Sequence, residues 1–145
     1  MSREPLETPD PRDPATYKVW ESYPLRFIDQ DLMQHVNNVV FSRLFESSRI
    51  EFWRGLGQFP FPKESGLIMV RGAIDYLRQL HYPDTVRIGT RIKHIGTSSL
   101  RVRQALFNGK GECCALSESV SAHAHYASSK SSPIPDKLRK ILESA

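Results

Sequence analysis

The sequence predicts an α+β domain in which one long helix packs against an antiparallel sheet of about five strands. Hydrophobic residues recur at helical spacing in one long segment, and the four segments that follow it alternate between apolar and polar residues. The connections between those four segments are short, which favours antiparallel strands because parallel strands need long crossovers. A single helix placed after the first strand must then bury its apolar side on the sheet.

Two different spacings predict the first strand and the helix. The strand is expected where apolar residues alternate with polar ones, at Tyr17, Val19, Tyr23, Leu25 and Phe27. The helix is expected at about residues 38–54, where one face carries Phe41, Leu44, Phe45, Ser48 and Phe52. Asn37 and Asn38 are suitable residues to cap its start, and Gly55 and Gly57 are suitable to end it.

Four further strands follow the helix. Their apolar residues occupy alternate positions within the ranges 68–76, 86–92, 100–106 and 114–126. Turn-forming residues separate them, namely Tyr82-Pro83-Asp84, Gly96 and the segment from Asn108 to Gly111. A helix wrapped by a curved antiparallel sheet of this kind is the hotdog arrangement, and this is the fold that we predict.

Length and composition predict a single folded domain. The chain has 145 residues, of which 39% are hydrophobic and 25% charged, and these values exclude collagen-like, coiled-coil and wholly disordered classes. We expect a flexible arm at 1–14, the main domain at 15–127, and a linker with a short C-terminal helix at 128–145. The sequence has no apolar run long enough for a membrane span, and its first residues lack the apolar core of a secretory signal. These features predict a cytoplasmic location.

Chemically active side chains are concentrated at residues 26–38, RFIDQDLMQHVNN, between the first strand and the helix. Unpaired backbone N–H groups at a helix start carry partial positive charge and can hold a developing oxyanion. A carboxylate earlier in the same loop can attack a carbonyl carbon or act as a base toward water. Without further information, Asp and Asn residues before a helix are more often caps and turn formers.

This loop and several later segments resemble the acyl-CoA thioesterases of the 4-hydroxybenzoyl-CoA thioesterase type in the hotdog superfamily. The segments are DQDLMQHVNN, RLFESSRIEFW, HYPDTVRIGTRI and IGTSSL, and the resemblance extends from about Tyr17 to Tyr126. It implies hydrolysis of an acyl-CoA thioester to a free acid and CoA, without a metal or organic cofactor. It further implies that Asp31 is the nucleophile or general base and that the backbone N–H of Asn38 polarises the carbonyl. His35 and Asn37 match the same motif and are expected to shape the loop or touch the substrate.

The loop departs from the family pattern at two positions. Gln34 stands where the family commonly has glycine, so the turn is made without a residue that freely adopts positive φ. Phe41 stands where tyrosine is frequent, which removes a hydroxyl group. Asp29, the first aspartate of the pair, is interpreted as a loop organiser that accepts backbone hydrogen bonds.

Basic residues predict where CoA binds. Between Val86 and Gly111 the sequence has six basic residues and no acidic ones, and those on strands share the outer face. The six are Arg87, Arg91, Lys93, Arg101, Arg103 and Lys110. In relatives of this fold, residues near the turn after the third strand contact the CoA nucleotide, which here implies Thr97, Ser98 and Ser99. We therefore predict that Arg91, Lys93 and Arg101, with these three, bind CoA.

Two other functions remain open at this point, namely a hotdog hydratase or dehydratase and a non-catalytic module that binds acyl-CoA or an acyl carrier. A hydratase generally needs a catalytic histidine, for which His35 is the candidate. Nucleic-acid binding is disfavoured because exposed aromatic residues are not interleaved with the basic ones. We expect a homodimer or a homotetramer, since an edge strand with unpaired backbone groups can be covered by a second copy.

Overall fold

The computed structural model describes residues 7–145 and has five strands and two α-helices. The long helix α1 begins and ends within one residue of its predicted bounds. The first strand is shorter than predicted, because the chain turns after Pro24 and enters a short 3-10 helix at Phe27–Asp29. In chain order the elements are β1 Val19–Pro24, α1 Asn38–Gly55, β2 Ser65–Tyr76, β3 Thr85–Ile95, β4 Ser99–Phe107, β5 Cys113–His125 and α2 Asp136–Glu143.

All five strands form one antiparallel sheet in the order β1-β3-β4-β5-β2. The helix α1 packs against one face of this curved sheet, which confirms the predicted hotdog fold. Strand β2 follows the helix in the chain but pairs with the last strand, with Ser65 opposite His125 and Tyr76 opposite Ala115. The two edges of the sheet are therefore the six-residue β1 and the twelve-residue β2.

The main core lies between α1 and the sheet. Phe45 of the helix is fully buried together with Val86, Ile88 and Leu106 of the two adjacent strands. Burying a side chain of this size stabilises the fold by roughly 1.5–3 kcal/mol. Leu44 and Phe41 are buried on the same side of α1, as the helical spacing predicts. This packing fixes the start of the helix over the strand ends near Leu80 and Val86.

The chain also covers the outer face of the sheet, where a second apolar cluster contains Tyr17, Ala105, Phe107 and Leu116. Residues 7–14, expected to belong to a flexible arm, instead lie on this face. Pro11 is buried and its carbonyl accepts a hydrogen bond from the Tyr17 hydroxyl at 2.7 Å. The reason is that Tyr17 and the basic strands offer these residues specific partners. The start of the arm, residues 1–6, lies outside the described residues.

At the other end of the chain, α2 forms within the predicted C-terminal segment. Leu142 and Ile134 are buried against Leu100 and Val102, so this segment closes the sheet near the end of α1. Within residues 7–145, no helix has the length and apolarity that crossing a membrane requires.

Candidate active site

Asp31 lies in a closed loop immediately before α1. Its backbone N–H donates to the carbonyl of His35 at 2.8 Å, and one bridge pairs Gln30 with Val36. Its carboxylate oxygen Oδ1 accepts hydrogen bonds from the N–H groups of Met33 at 2.8 Å and His35 at 3.2 Å. The side chain is exposed, and within the described residues Oδ2 accepts no hydrogen bond. One oxygen therefore fixes the carboxylate while the other faces solvent.

Gln34 makes the turn of this loop with a φ of 61°, in the left-handed region. The sequence indicates that a glycine-like conformation is needed here, and the glutamine adopts it. Its N–H donates to the Asp31 carbonyl at 3.0 Å, which closes the turn. A residue with a Cβ is strained in this conformation, and the strain lies directly beside the candidate catalytic carboxylate.

Asp29 is the buried organiser of the loop, as its sequence interpretation proposed. The side chain is 2% exposed, and Oδ2 accepts from the backbone N–H of Arg26 at 2.8 Å. Oδ1 accepts from the guanidinium of Arg26 at 2.9 Å and that of Arg43 at 3.3 Å. Burial raises the pKa of Asp29, but these hydrogen bonds and the two positive charges outweigh it and hold the pKa below its ordinary value.

The start of α1 presents a free backbone donor. The Asn37 side chain caps the helix by accepting from the N–H of Val39 at 2.9 Å, and the Asn37 N–H donates to the Asp29 carbonyl at 3.0 Å. The N–H of Asn38, the first helical residue, donates to no group within residues 7–145. It lies at the positive end of the helix dipole, where a developing negative charge is stabilised.

Four ring side chains lie in or around this loop. The His35 ring meets the ring of His81 edge to face at 5.5 Å, and His81 is a neighbour that the sequence did not single out. Phe41 is buried and packs against Tyr76 at 5.3 Å. The Tyr76 hydroxyl comes within 3.5 Å of the Asn38 carbonyl. Strand β2 thus supplies a hydroxyl group near the helix start, which sequence analysis missed because 38 positions separate the two residues.

The basic outer face is partly compensated by two glutamates, although the sequence from Val86 to Gly111 has no acidic residue. Glu7 pairs with Arg103 at 2.6 Å and with Lys93 at 3.3 Å. Glu118 pairs with Lys93 and with Arg101, each at 2.9 Å. The hydrogen bond from Lys93, followed by that from Arg101, lowers the pKa of Glu118 although burial opposes it. The reason for the difference is that both glutamates lie outside the stretch from 86 to 111 that sequence analysis considered.

Arg91 lies on the same face, where its guanidinium carbon is 5.4 Å from the centre of the Tyr17 ring. It also comes within 3.9 Å of Glu7. The turn of Thr97, Ser98 and Ser99 lies elsewhere, at the end of β3 opposite to the 26–38 loop. Thr97 and Ser98 use their carbonyls to bind Ile134 and His123. Within one chain the structure thus brings Asp31, His35, Asn37 and Asn38 together, and it leaves the predicted CoA-binding residues apart from them.

The described residues contain no group of three or more His, Cys, Asp and Glu side chains that could hold a metal ion. Both cysteines, Cys113 and Cys114, are free, and burial raises the pKa of the Cys113 thiol to about 11. A thiol with a raised pKa is a poor nucleophile.

A curved antiparallel sheet wrapped around one long helix defines a protein of the hotdog fold. The chain belongs to the thioesterase-like superfamily, whose family pattern matches residues 25–142. It is 26% identical over 128 residues to the uncharacterized protein YsmA of Bacillus subtilis (strain 168), covering 88% of this chain and 87% of that one.

Solved structures agree with this assignment. The PA5185 protein of Pseudomonas aeruginosa strain PAO1 is 27% identical with a TM-score of 0.78, covering 90% of this chain and 92% of that one. A thioesterase of Thermus thermophilus, complexed with coenzyme A and zinc, is 27% identical with a TM-score of 0.75. That comparison covers 88% of this chain and 94% of the other.

Proposed function

We propose that this protein hydrolyses an acyl-CoA thioester to a free acid and CoA, with Asp31 as the catalytic carboxylate. The observation that carries the proposal is that one closed loop holds a carboxylate oxygen that accepts no hydrogen bond within residues 7–145, and that a free backbone donor follows directly after this loop at the helix start. The bond between Asn37 N–H and the Asp29 carbonyl joins the two ends of this loop. Asp31 and Asn38 each lie within two residues of that bond.

The reaction uses both groups. The thioester carbonyl oxygen accepts a hydrogen bond from the Asn38 N–H, which stabilises the negative charge that develops during attack. Oδ2 of Asp31 takes a proton from water as the water oxygen attacks the carbonyl carbon, and the tetrahedral intermediate then expels the CoA thiolate. The thiolate receives that proton. In the nucleophilic alternative, Oδ2 attacks the carbon itself and the C–S bond breaks to release the CoA thiolate. Water then hydrolyses the resulting anhydride to the free acid and the Asp31 carboxylate, and a proton of that water passes to the thiolate.

The proposal is tested by replacing Asp31 with asparagine. Asparagine has an oxygen that can accept the same two backbone hydrogen bonds, so the loop should keep its shape, but it can neither attack nor accept the proton. Loss of a positioned base lowers the rate by ~10²- to 10⁴-fold. We expect thiol release from acyl-CoA to fall by at least that factor, while acyl-CoA binding measured by calorimetry stays within about threefold.

The control is Asp10→Asn, since Asp10 is an exposed carboxylate paired with Arg12 on the surface. It should leave thiol release unchanged. Thiol release by Asp31→Asn within about threefold of the parent would contradict the catalytic assignment. Binding of acyl-CoA by the parent without any thiol release would instead indicate a non-catalytic binding module.

We further propose that CoA is bound by Arg91, Lys93, Arg101 and the turn of Thr97, Ser98 and Ser99, as a basic patch suits its phosphate groups. The CoA held by the Thermus thermophilus relative supports a CoA ligand for this chain. Glu7 and Glu118 already share these basic side chains, so a phosphate would compete with them. Binding should therefore weaken as ionic strength rises.

The active protein is proposed to be a homodimer or a homotetramer. Strand β2 is a twelve-residue edge, and its side chains Met69 and Val70 are 53% and 63% exposed. An antiparallel second copy along this edge would place the start of its β2 near Tyr76 and hence near the Asn38 amide. It would also bring the second copy's turn between β3 and β4 to the side of the site that one chain leaves open. Light scattering that returned a monomer at micromolar concentration would contradict this.

A further inference from the structure

A cavity lies at the opposite end of α1 from Asp31. It has a volume of about 650 Å³, is open to solvent on one side, and is lined by the last turns of α1, the loop that follows, the start of β2, the inner face of β5 and the helix α2. Trp53 and Leu67 supply apolar walls, while Ser119, Ser121 and His123 supply polar ones. Asn38 is eleven residues before Arg49, so within one chain the cavity is ~16 Å along the helix from the Asn38 amide. The mechanism described above does not use it.

Of the charged groups that line this cavity, Arg49 is the one that hydrogen-bonds to a buried side chain within the described residues. Its Nη1 donates to Oε1 of Gln104 at 3.0 Å, and Gln104 is fully buried. The amide nitrogen of Gln104 donates to the Phe45 carbonyl and to the Thr90 hydroxyl, each at 3.1 Å. Because both partners of that nitrogen are fixed, the Gln104 oxygen must face Arg49. The guanidinium is thereby anchored by one edge to the core.

The other N–H groups of Arg49 remain available. None of the ion pairs within residues 7–145 involves Arg49. Burial lowers the pKa of Arg49, although the charge of Glu46 opposes this. Of the other charged groups that line the cavity, Glu46 is exposed at the rim and Lys137 comes from α2. The lining therefore has a net positive charge. A partly buried guanidinium without a counter-ion gains most from an anion that two parallel N–H groups can bind.

We propose that this cavity binds an organic carboxylate with an apolar body, its carboxylate paired with Arg49 and its body packed between Trp53 and Leu67. The hydroxyls of Ser119 and Ser121 offer further donors to the same ligand. Two sources present this chemistry, namely a free carboxylic acid and an acyl group that carries a second carboxylate. The experiment below separates them.

Octanoate is used to test the cavity for carboxylate binding. The control ligand is 1-octanol, which has the same chain length but no charge. Trp53 lines the cavity, and Trp20, the other tryptophan, packs on the outer face against Phe107. In a Trp20→Phe background, fluorescence therefore reports on the cavity alone. We expect octanoate to quench or shift Trp53 emission saturably and to bind more tightly than octanol. No thioester is used, so this result is independent of whether Asp31 catalyses hydrolysis.

Arg49→Gln tests the ion pair, because glutamine retains an N–H donor for Gln104 but has no charge. Octanoate should bind roughly 10- to 100-fold more weakly, as expected for the loss of a charge-assisted pair, and octanol should bind within about threefold of the parent. The matched control is Arg54→Gln on the same helix, since Arg54 pairs with Glu51 at the surface. It should change neither affinity. If Arg49→Gln does not fold, Arg49→Lys should still weaken octanoate binding, because a single ammonium replaces the guanidinium fork.

The inference is overturned if octanoate fails to bind, if it binds no better than octanol, or if Arg49→Gln and Arg49→Lys both retain full affinity. Loss of binding in Lys137→Gln with none in Arg49→Gln would likewise overturn it. Competition with acyl-CoA then identifies the source of the carboxylate. Competitive inhibition of thiol release by octanoate that is lost in Arg49→Gln indicates that the cavity holds the acyl group, and non-competitive inhibition that is lost in Arg49→Gln indicates a separate site for a free acid.

Discussion

Replacing Asp29 by asparagine should destabilise the protein while leaving the reacting groups of the loop in place. The substitution removes a buried negative charge between two arginines that belong to different elements, Arg26 before the 3-10 helix and Arg43 on α1. The backbone carbonyl of Asp29, which accepts from Asn37, is unaffected. The expected effect is therefore on stability far more than on turnover.

The magnitude follows from the contacts. The Asp29 carboxyl is 2% exposed, whereas the side chains of Arg26 and Arg43 are 54% and 43% exposed and keep much of their hydration. Removing one partner of a fully buried ion pair lowers the free energy of unfolding by ~3–5 kcal/mol. Because the two arginines keep much of their hydration, we expect a smaller loss here, of about 2–3 kcal/mol. For a chain of this length each kcal/mol lowers the Tm by roughly 2–4 °C, so we expect a fall of about 4–12 °C.

Thermal melts across a pH series provide the assay. The pKa of Asp29 is lowered in the folded protein, so its contribution is complete above the unfolded value of about 3.9 and is lost as the pH falls through the lower folded value. The Tm difference between parent and variant should be full near neutral pH and should shrink below about pH 4. Asp10→Asn, at an exposed ion pair, should melt like the parent. A Tm difference under about 2 °C at neutral pH would contradict this prediction. So would a Tm difference that is the same in acid as at neutral pH.

Two further predictions concern the turn of the loop and the outer face. Gln34→Gly should raise the free energy of unfolding by up to about 1 kcal/mol, because glycine adopts the 61° φ without strain, and chemical denaturation measures this. Lower stability than the parent would show that the turn is unstrained. The combined substitution of Arg91, Lys93 and Arg101 by alanine should raise KM for a CoA thioester with much less effect on kcat, and should leave a short thioester without the nucleotide unaffected. If the substitutions change KM for neither substrate, this face only carries solvated charge.

Local sequence patterns predicted the parts of the structure that depend on local spacing. The bounds of α1 followed from the period of its apolar residues, and the placement of Asp31 before the helix start followed from the motif. The sequence could suggest only one of the two arginine partners of Asp29, because Arg26 is three residues away but Arg43 is fourteen. Glu7 and Arg103 are 96 positions apart, and no periodicity relates them. Such contacts arise only when distant segments have packed, so the compensation of the basic face could not be foreseen.

The order of the strands also determines how the chain can fold as it is made. Strand β2 leaves the ribosome soon after α1, but its only partner in the described chain is β5, which begins at Cys113. At translation rates of ~5–20 residues per second, the interval is on the order of several seconds. During it, both edges of β2 and the side chains of Met69 and Val70 are unpaired. The nascent chain is therefore most exposed to misassociation, and most dependent on chaperones, between the synthesis of β2 and that of β5.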